Sequence, residues 1–475
     1  MERLARLFSV HFLIIIFSTA VLAPVRPLVC PGQALAQDGG EASLVFSLEE
    51  LIDRAIAVSP EIEGKRSEVA AARSDLDQVK AYFYPQIEST AFVGPVGNDK
   101  KPEVQDGDII DPSPDDFTSV GIFGSFDITL TQPLYGFGKL SHRKEAALEG
   151  VKAREFGIQE KKNDVALRVR QLYYALILAR EGIEAADDTD GYFEDASRLI
   201  SRLLELNAVN VSESDLYRIE AFRADTLRGR AEAQTGLASA YFALKSMIRL
   251  QPDQDFQVVE EKLSIEENDL DDQESYIRRA LEQRPELKQL RSALEAKGYE
   301  VKATRSDLYP SFFIAAEASV AGAPDREKFD NPYIPDKFNH AYVGAAAGLR
   351  WNFDFGIGKA KISRKRAEYT RLRHSKESAE MNIPIQIARL YQEVLERKTA
   401  AKAYRKAAVA SRKWLISAMA DFDMGIGDAE DMLNGIERYG RNQGRYIEAL
   451  FRYKLTLAAL EHASGITIWR NKGNI

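Results

Sequence analysis

The sequence is written twice, and this limits its folding more than any other feature. Sliding the chain over itself by 225 positions aligns Glu49 with Glu274, Ile52 with Ile277, Arg54 with Arg279 and Ala55 with Ala280. The match continues through Pro60-Glu61 and Pro285-Glu286, Arg66-Ser67 and Arg291-Ser292, and Ala71 and Ala296, and ends on Tyr84-Pro85 and Tyr309-Pro310. That is eleven identities between Glu49 and Pro85, where unrelated segments of this length share roughly two or three; self-similarity of this kind marks duplication. At a slightly shorter offset, Tyr135-Gly136-Phe137-Gly138-Lys139 corresponds to Phe355-Gly356-Ile357-Gly358-Lys359. Each copy has the same order of parts: a helix ending at Tyr-Pro, a middle section, Gly-x-Gly-Lys, then a long helical tract.

In the middle sections the hydrophobic period changes from helical to two. Val120, Ile122, Phe126, Ile128 and Leu130 share one face, with Ser119, Gly121, Ser125, Asp127, Thr129 and Thr131 on the other. Val343, Ala345, Ala347, Leu349, Trp351 and Phe353 alternate in the same way with Gly344, Ala346, Gly348, Arg350, Asn352 and Asp354. Weaker alternation follows each Tyr-Pro, at Ile87, Ala91 and Val93, and at Phe312, Ile314, Ala316, Ala318 and Val320. The expectation is two strands per copy, 85–97 and 117–134, then 310–321 and 340–354, joined by polar loops near 98–116 and 322–338.

Apolar-out, polar-in alternation with long loops suits a transmembrane β-barrel. A half-buried soluble sheet uses the same alternation, so single strands do not discriminate. Four strands cannot close a barrel, and a bilayer does not tolerate open edges, because each unpaired backbone group there costs several kcal/mol. A membrane sheet of this size must therefore be pooled between subunits of a homo-oligomer.

The N-terminus bears on the choice. Arg3 and Arg6 precede an uncharged stretch from Leu7 to Val25, and Ala34-Leu35-Ala36 offers a small-x-small cleavage pattern. The expected reading is a secretory signal peptide over 1–36, the alternative a retained signal anchor. Cys30 is the single cysteine; Val29 before it is too large for a lipoprotein signal, so a mature chain without cysteine is expected. The full chain carries a formal charge of −8, and removing 1–36 removes a net +2, leaving −10. That charge argues against a nucleic-acid partner. A mean hydropathy of −0.31 excludes a polytopic helical membrane protein.

The helical tracts are long. Residues 139–206 contain no proline, and a second tract runs over 212–250. At ~1.5 Å per residue the first spans roughly 100 Å. Val165, Val169, Leu172, Leu176, Ala179, Ile183 and Ala186 recur at alternating spacings of four and three, a heptad that packs against neighbouring helices. Copy two repeats the pair over 359–422 and 428–464, with a kink or break expected at Pro384. The duplicated units are thus 46–255 and 272–465, each opened by a single helix (47–84 and 272–308), with a linker at 256–271 and a tail at 466–475. Each helical pair turns at a short apolar segment, Asn207 to Val211 and Met424 to Gly427. Acids follow: Glu213 and Asp215, then Asp428, Glu430 and Asp431, which read as ordinary helix N-caps or as functional carboxylates.

Taken in order, the duplicated Pro-Glu and Tyr-Pro pairs, the stretch Gln132 to Gly138, and Asn352 to Lys359 resemble the TolC-like outer-membrane efflux protein family over about Phe46 to Gly465. The resemblance implies a mixed α+β fold: a trimer with a twelve-stranded outer-membrane barrel, a periplasmic tunnel of paired helices, and an equatorial collar including 252–271. It implies a passive exit duct, serving drug efflux or type I secretion, coupled to an inner-membrane pump of RND or ABC type through a periplasmic adaptor. The helical turns become the periplasmic entrance. There Asp431 matches the first acidic-ring position, while the second falls on Asn434 and a helix-linking arginine position falls on Gly427. Asp428 and Asp215 lie at the same entrance. Adaptor contact is expected on Val209, Val211, Gly425, Ile426 and Gly427, and the strand-to-helix transitions on Gly136, Gly138, Gly356 and Gly358.

Enzyme readings find little support. Gly136-Phe137-Gly138-Lys139 lacks the four-residue spacer of a phosphate loop, and Leu140 stands where Ser or Thr is required. His11, His142, His340, His374 and His462 lack metal-ligand spacing and read as surface residues. No catalytic, metal or cofactor constellation can be argued. The rival to the duct is a periplasmic coiled-coil scaffold with a soluble β-layer.

Overall fold

The computed structural model describes residues 44–97, 103–105, 108–110, 120–265, 270–324, 326, 328, 333 and 335–467. The signal segment with Cys30, residues 117–119 of the expected second strand, and 468–475 of the tail lie outside the described residues.

Copy one comprises β1 (Leu44–Phe46), α1 (Leu48–Val58), α2 (Pro60–Ala81), β2 (Gln86–Gly97), the short β3 (Glu103–Gln105) and β4 (Asp108–Ile110), β5 (Val120–Tyr135), α3 (Lys139–Glu205) and α4 (Glu213–Met247). After β6 (Phe256–Val258), copy two runs through α5 (Gln273–Gln283), α6 (Pro285–Ser306), β7 (Ser311–Gly322), β8 (His340–Arg350), α7 (Ile357–Asp423) and α8 (Ala429–Ala463). Each helix matches the length of its counterpart: 11, 22, 67 and 35 residues in both copies.

The single helices expected over 47–84 and 272–308 are each two. Ser59 and Arg284 adopt extended ψ angles of 121° and 125°, and Pro60 and Pro285 open the next helix. A proline ring excludes helical geometry from the residue before it and is itself suited to the first helical position. Of the kink or break expected at Pro384, the break does not occur: α7 continues through it. The missing N–H costs about 3 kcal/mol, but the adjoining Ile383, Ile387, Leu390 and Val394 are buried against Tyr453 and Leu457, and each buried side chain contributes about 1.5–3 kcal/mol. β8 stops at Arg350 rather than 354, because Asp354 turns to accept a hydrogen bond from Gly358 N (2.7 Å) and begins α7.

The sheet has the order β2-β5-β7-β8, antiparallel throughout, so the two copies meet at its centre. The register sorts its residues into two faces. One carries Ile87/Leu130/Ala316/Ala345, Ala91/Phe126/Val320/Ala341 and Phe312/Leu349. The other carries Glu88/Thr129/Glu317/Gly344 and Thr90/Asp127/Ser319/Tyr342. The apolar face is open to solvent in the single chain, as at Ile87, Val93, Ile122 and Val343. Among the described residues, β2 and β8 each pair on one side only.

The helices form a layer in which α3 packs on α4 and α8, and α7 on α8 and α6. A two-stranded parallel sheet was not expected: β1 pairs with β6, Leu44 opposite Phe256 and Phe46 opposite Val258, joining the start of copy one to the segment between the copies. Leu51, Ile52, Val169, Tyr173, Ile177, Leu244 and Leu263 form a core with Phe256 and Val258. The buried Glu181 accepts a hydrogen bond from Leu263 N at 2.5 Å. No helix among the described residues is long and apolar enough to cross a membrane.

Candidate functional site

Three regions carry the features singled out above: the polar face of the sheet, the strand-to-helix junction, and the helical tips. On the polar face, neighbouring strands are cross-linked by side chains. Ser319 Oγ lies 2.6 Å from Asp127 Oδ1 and 2.8 Å from His340 Nε2, and Tyr342 donates to Glu317 at 2.9 Å. His340 is therefore no isolated surface residue. Nor are His142, 3.3 Å from Ser306 Oγ, and His462, 3.2 Å from Asp164. The signal for such partners lies in strand register and helix packing, which a single sequence does not display.

At the junction the four glycines do unequal work. Gly138 sits at φ +84°, and a Cβ there would meet the His142 ring at 2.8 Å; Phe137 before it is also left-handed, at φ +51°. In copy two the left-handed position falls on the first glycine, Gly356, at φ +138°. Gly358 instead permits close packing, since a Cβ would lie 2.6 Å from Leu308 Cδ2. Gly136 has only ordinary neighbours. The residues that align in sequence thus exchange backbone roles, because α7 begins two residues earlier than its counterpart. Aromatic rings gather here: Phe137 stacks on Tyr309 (centroids 5.1 Å) and contacts Tyr135 (4.9 Å), and Trp351 lies 4.3 Å from Phe353.

Both tips close with the same hydrogen bonds. In copy one Ala208 N bonds Leu203 O and Asn207 N bonds Leu204 O; in copy two Ile426 N bonds Asp421 O and Gly425 N bonds Phe422 O. Asn207 and Gly425 take the left-handed conformation this helix ending needs, φ +54° and +76°. Leu206, Val209, Met424 and Ile426 project into solvent, while Val211 and Gly427 are half-buried.

The acids behind the tips are structural partners as well as charges. Asp428 caps α8 by accepting from Asp431 N (2.8 Å), and Asp215 accepts from Ser212 N (2.9 Å) in a capping box. Asp431 is exposed and held by Trp414 Nε1 on α7 (3.5 Å); Asn434 is half-buried one turn further along α8. An arginine does link the helices here, but from α4: Arg218 Nη1 lies 3.6 Å from Glu430 Oε2. Deeper in the α3–α4 hairpin, Arg223 binds Asp190 through two bonds (2.6 and 2.9 Å), which holds that carboxyl below its ordinary value.

A comparison with protein-family models matches residues 51–206 and 276–466 to the family described as Outer membrane efflux protein. The match covers both copies and well over half the chain, and the chain belongs to that family. Solved structures agree on the fold. The outer-membrane channel OprN superposes with a TM-score of 0.72 at 16% identity, covering 88% of this chain and 90% of that one. The Campylobacter jejuni CmeC outer membrane channel gives 0.70 at 16%, over 90% and 87%. The open state of the Neisseria gonorrhoeae MtrE outer membrane channel gives 0.70 at 17%, over 90% and 91%. No curated protein matches.

The protein is accordingly an outer-membrane efflux channel with a periplasmic helical extension, of a non-enzymatic family. Its four strands per chain and long paired helices are the fold of trimeric channels. The soluble scaffold reading is set aside; outer-membrane barrels built of alternating strands turn the apolar face to lipid and the polar face to the lumen.

Proposed function

We propose that three copies of this chain form one passive duct, which receives substrates at the helical tips from a periplasmic adaptor and an inner-membrane pump and releases them outside the cell. The observation that carries this reading is the four-stranded sheet with one apolar face and a free edge on both β2 and β8. Three such sheets joined edge to edge close a barrel without unpaired backbone in the lipid. The helical layer supports the same closure. α4 and α7 flank it and expose apolar side chains, Leu227 and Phe242 on one and Met381, Ile385 and Ile416 on the other, which pack together when one protomer meets the next.

At the periplasmic end, three copies of Asp431 form an acidic ring, with Asn434 one turn inside it. Asp215, Asp428 and the Arg218–Glu430 pair hold the tips closed around it. The exposed apolar turns, Val209 and Ile426 with Val211, Gly425 and Gly427 beside them, receive the adaptor. The pump, of RND or ABC type, completes the assembly.

Membrane extraction tests the reading. The mature protein should resist release by salt or carbonate, require detergent, and run as a heat-sensitive trimer on gels. It should also open conducting pores in planar bilayers. Release by carbonate as a monomer would overturn it. Replacing Val209 and Ile426 together by aspartate should abolish adaptor co-purification while leaving the trimer intact.

A further inference from the structure

We propose that the first turns of α7 hold the headgroup of an anionic phospholipid in the periplasmic leaflet of the outer membrane, with Lys359 and Lys361 as the cations that meet it. The proposal rests on the duct reading, in which the apolar face of the sheet meets lipid and the helices leave the barrel on the periplasmic side.

Two features meet where β8 gives way to α7. The first is apolar. Val343, Ala345, Ala347 and Leu349 share the apolar face of β8, and the same alternation runs on past the strand through Trp351, Phe353, Phe355 and Ile357, all four exposed. Trp351 donates its indole N–H to Leu308 O (3.0 Å) and sets its ring against Phe353, an amphipathic arrangement suited to a membrane–water interface. The second is charge. The whole chain carries −8, yet residues 351–366 contain the cations Lys359, Lys361, Arg364, Lys365 and Arg366 against a single acid, Asp354. That acid is already engaged by Gly358 N (2.7 Å) at the start of the helix.

The packing of α7 decides which cations are available. Gly358 and Ile362 are buried, and Lys365 reaches Glu300 on α6 (2.8 Å). Glu368 engages both Lys365 and Arg364 (3.4 Å each). Lys359, Lys361 and Arg366 are exposed and have no acidic partner among the described residues. Copy one differs at the matching place: Lys139, aligned with Lys359, lies 2.9 Å from Asp307, and Arg143 lies 3.4 Å from the same carboxylate. Depth then separates the free cations. Lys359 and Lys361 sit within about 6 Å of helix rise from Ile357, and a headgroup layer is about 5–8 Å thick on each side of the hydrocarbon. Arg366, about 14 Å along the same axis, lies beyond that layer. The positive end of the helix dipole adds to the attraction for an anion. A phospholipid satisfies both features at once, its phosphate on Lys359 and Lys361 and its acyl chains along Trp351, Phe353 and Phe355. A soluble anion would leave the aromatic half uncovered.

Lipid retention tests this. The wild-type trimer, reconstituted in vesicles of phosphatidylethanolamine with a minority of phosphatidylglycerol and re-extracted in mild detergent, should keep phosphatidylglycerol enriched about fivefold over the vesicle ratio, the factor that one well-placed cation supplies. The enrichment should fall when salt is raised to about 1 M. Lys359→Gln with Lys361→Gln, checked as a heat-sensitive trimer, should return the ratio to that of the vesicle. Lys402→Gln with Lys406→Gln, which removes the same charge further along α7, should keep the enrichment, and so should Lys359→Arg with Lys361→Arg, which removes none. Excess soluble glycerol phosphate should not release the lipid. A wild type without enrichment, or one whose enrichment ignores salt or yields to glycerol phosphate, overturns the proposal and leaves the duct standing. So does enrichment that survives Lys359→Gln with Lys361→Gln, or that is lost equally with Lys402→Gln and Lys406→Gln. Release of the protein from membranes by carbonate as a monomer overturns the duct reading, and the proposal with it.

Discussion

Arg170 and Glu461 join the two copies by a buried ion pair: Nη1 of Arg170 on α3, a residue 6% exposed, lies 2.6 Å from Oε2 of Glu461 near the end of α8. Burial opposes the guanidinium charge, and the Glu461 carboxylate together with the Tyr174 hydroxyl more than offsets it, holding the group above its ordinary value. Such a pair adds little relative to apolar packing, yet breaking one side leaves a charge stranded in a poorly solvated site. Glu461→Leu should therefore destabilise the chain by about 3 kcal/mol, read as a lower temperature of trimer dissociation. The double change Arg170→Met with Glu461→Leu should recover most of the loss. If the single and double variants melt alike, the pair is not the cause.

The junction glycines should separate sharply by position. Gly138→Ala forces a left-handed residue against the His142 ring, and Gly358→Ala overpacks Leu308; each should cost about 1–3 kcal/mol. Gly136→Ala, with ordinary neighbours, should remain within about 0.5 kcal/mol of wild type. Heat dissociation of the three purified trimers measures all of these. Equal losses would contradict the assignment of unequal roles.

Acid should loosen the α3–α4 hairpin through Asp190. Its hydrogen bonds to Arg223 depress the folded-state pKa below the ordinary 3.8, so the carboxylate contributes stability above that value. The contribution is lost as pH falls from about 4 through the depressed value. Wild-type dissociation temperature should drop over that window, and Asp190→Asn should be less stable near neutrality with a shallower drop. A variant that follows the wild-type curve throughout would rule out this carboxylate as the acid-labile group.

At the entrance, Arg218→Ala should raise the fraction of time that pores spend in their most conducting state. The Arg218–Glu430 pair is partly exposed, and such pairs are worth about 0.2–1 kcal/mol, so the increase should be at most about fivefold. Glu430→Gln should produce the same change. Single-channel recording checks both, and opposite effects of the two variants would rule out a shared latch.

The correspondence between sequence and structure is uneven in an instructive way. The alternation Val120 to Leu130 has a period of two, which specifies a face wherever the strand ends up. The register then assembled those faces across four strands, with Ala91, Phe126, Val320 and Ala341 on a single rung. The β1–β6 pair carried no comparable signal, since three-residue strands show no period. Pro60 and Pro285 are visible as a duplicated motif, and the extended conformation each imposes on the residue before it divides each expected single helix in two. Pro384 does not break α7, because its cost is local and the packing that offsets it is not. The position of a helix-linking arginine falls on Gly427 in this sequence, and the ion pair between α4 and α8, Arg218 with Glu430, is visible only in the folded chain.

Duplication, two-residue periodicity and proline-free heptads are properties of neighbouring residues along the chain, and they alone determined that this protein has two copies of a unit of strands and very long helices. Which strands adjoin, which carboxylates serve as caps, which glycine takes the left-handed turn, and that His340 meets Ser319 and Asp127 were decided only by the tertiary structure. Those contacts join residues as far apart as Asp127 and Ser319, and their geometry depends on register, helix start and packing, none of which is a property of any local stretch of sequence.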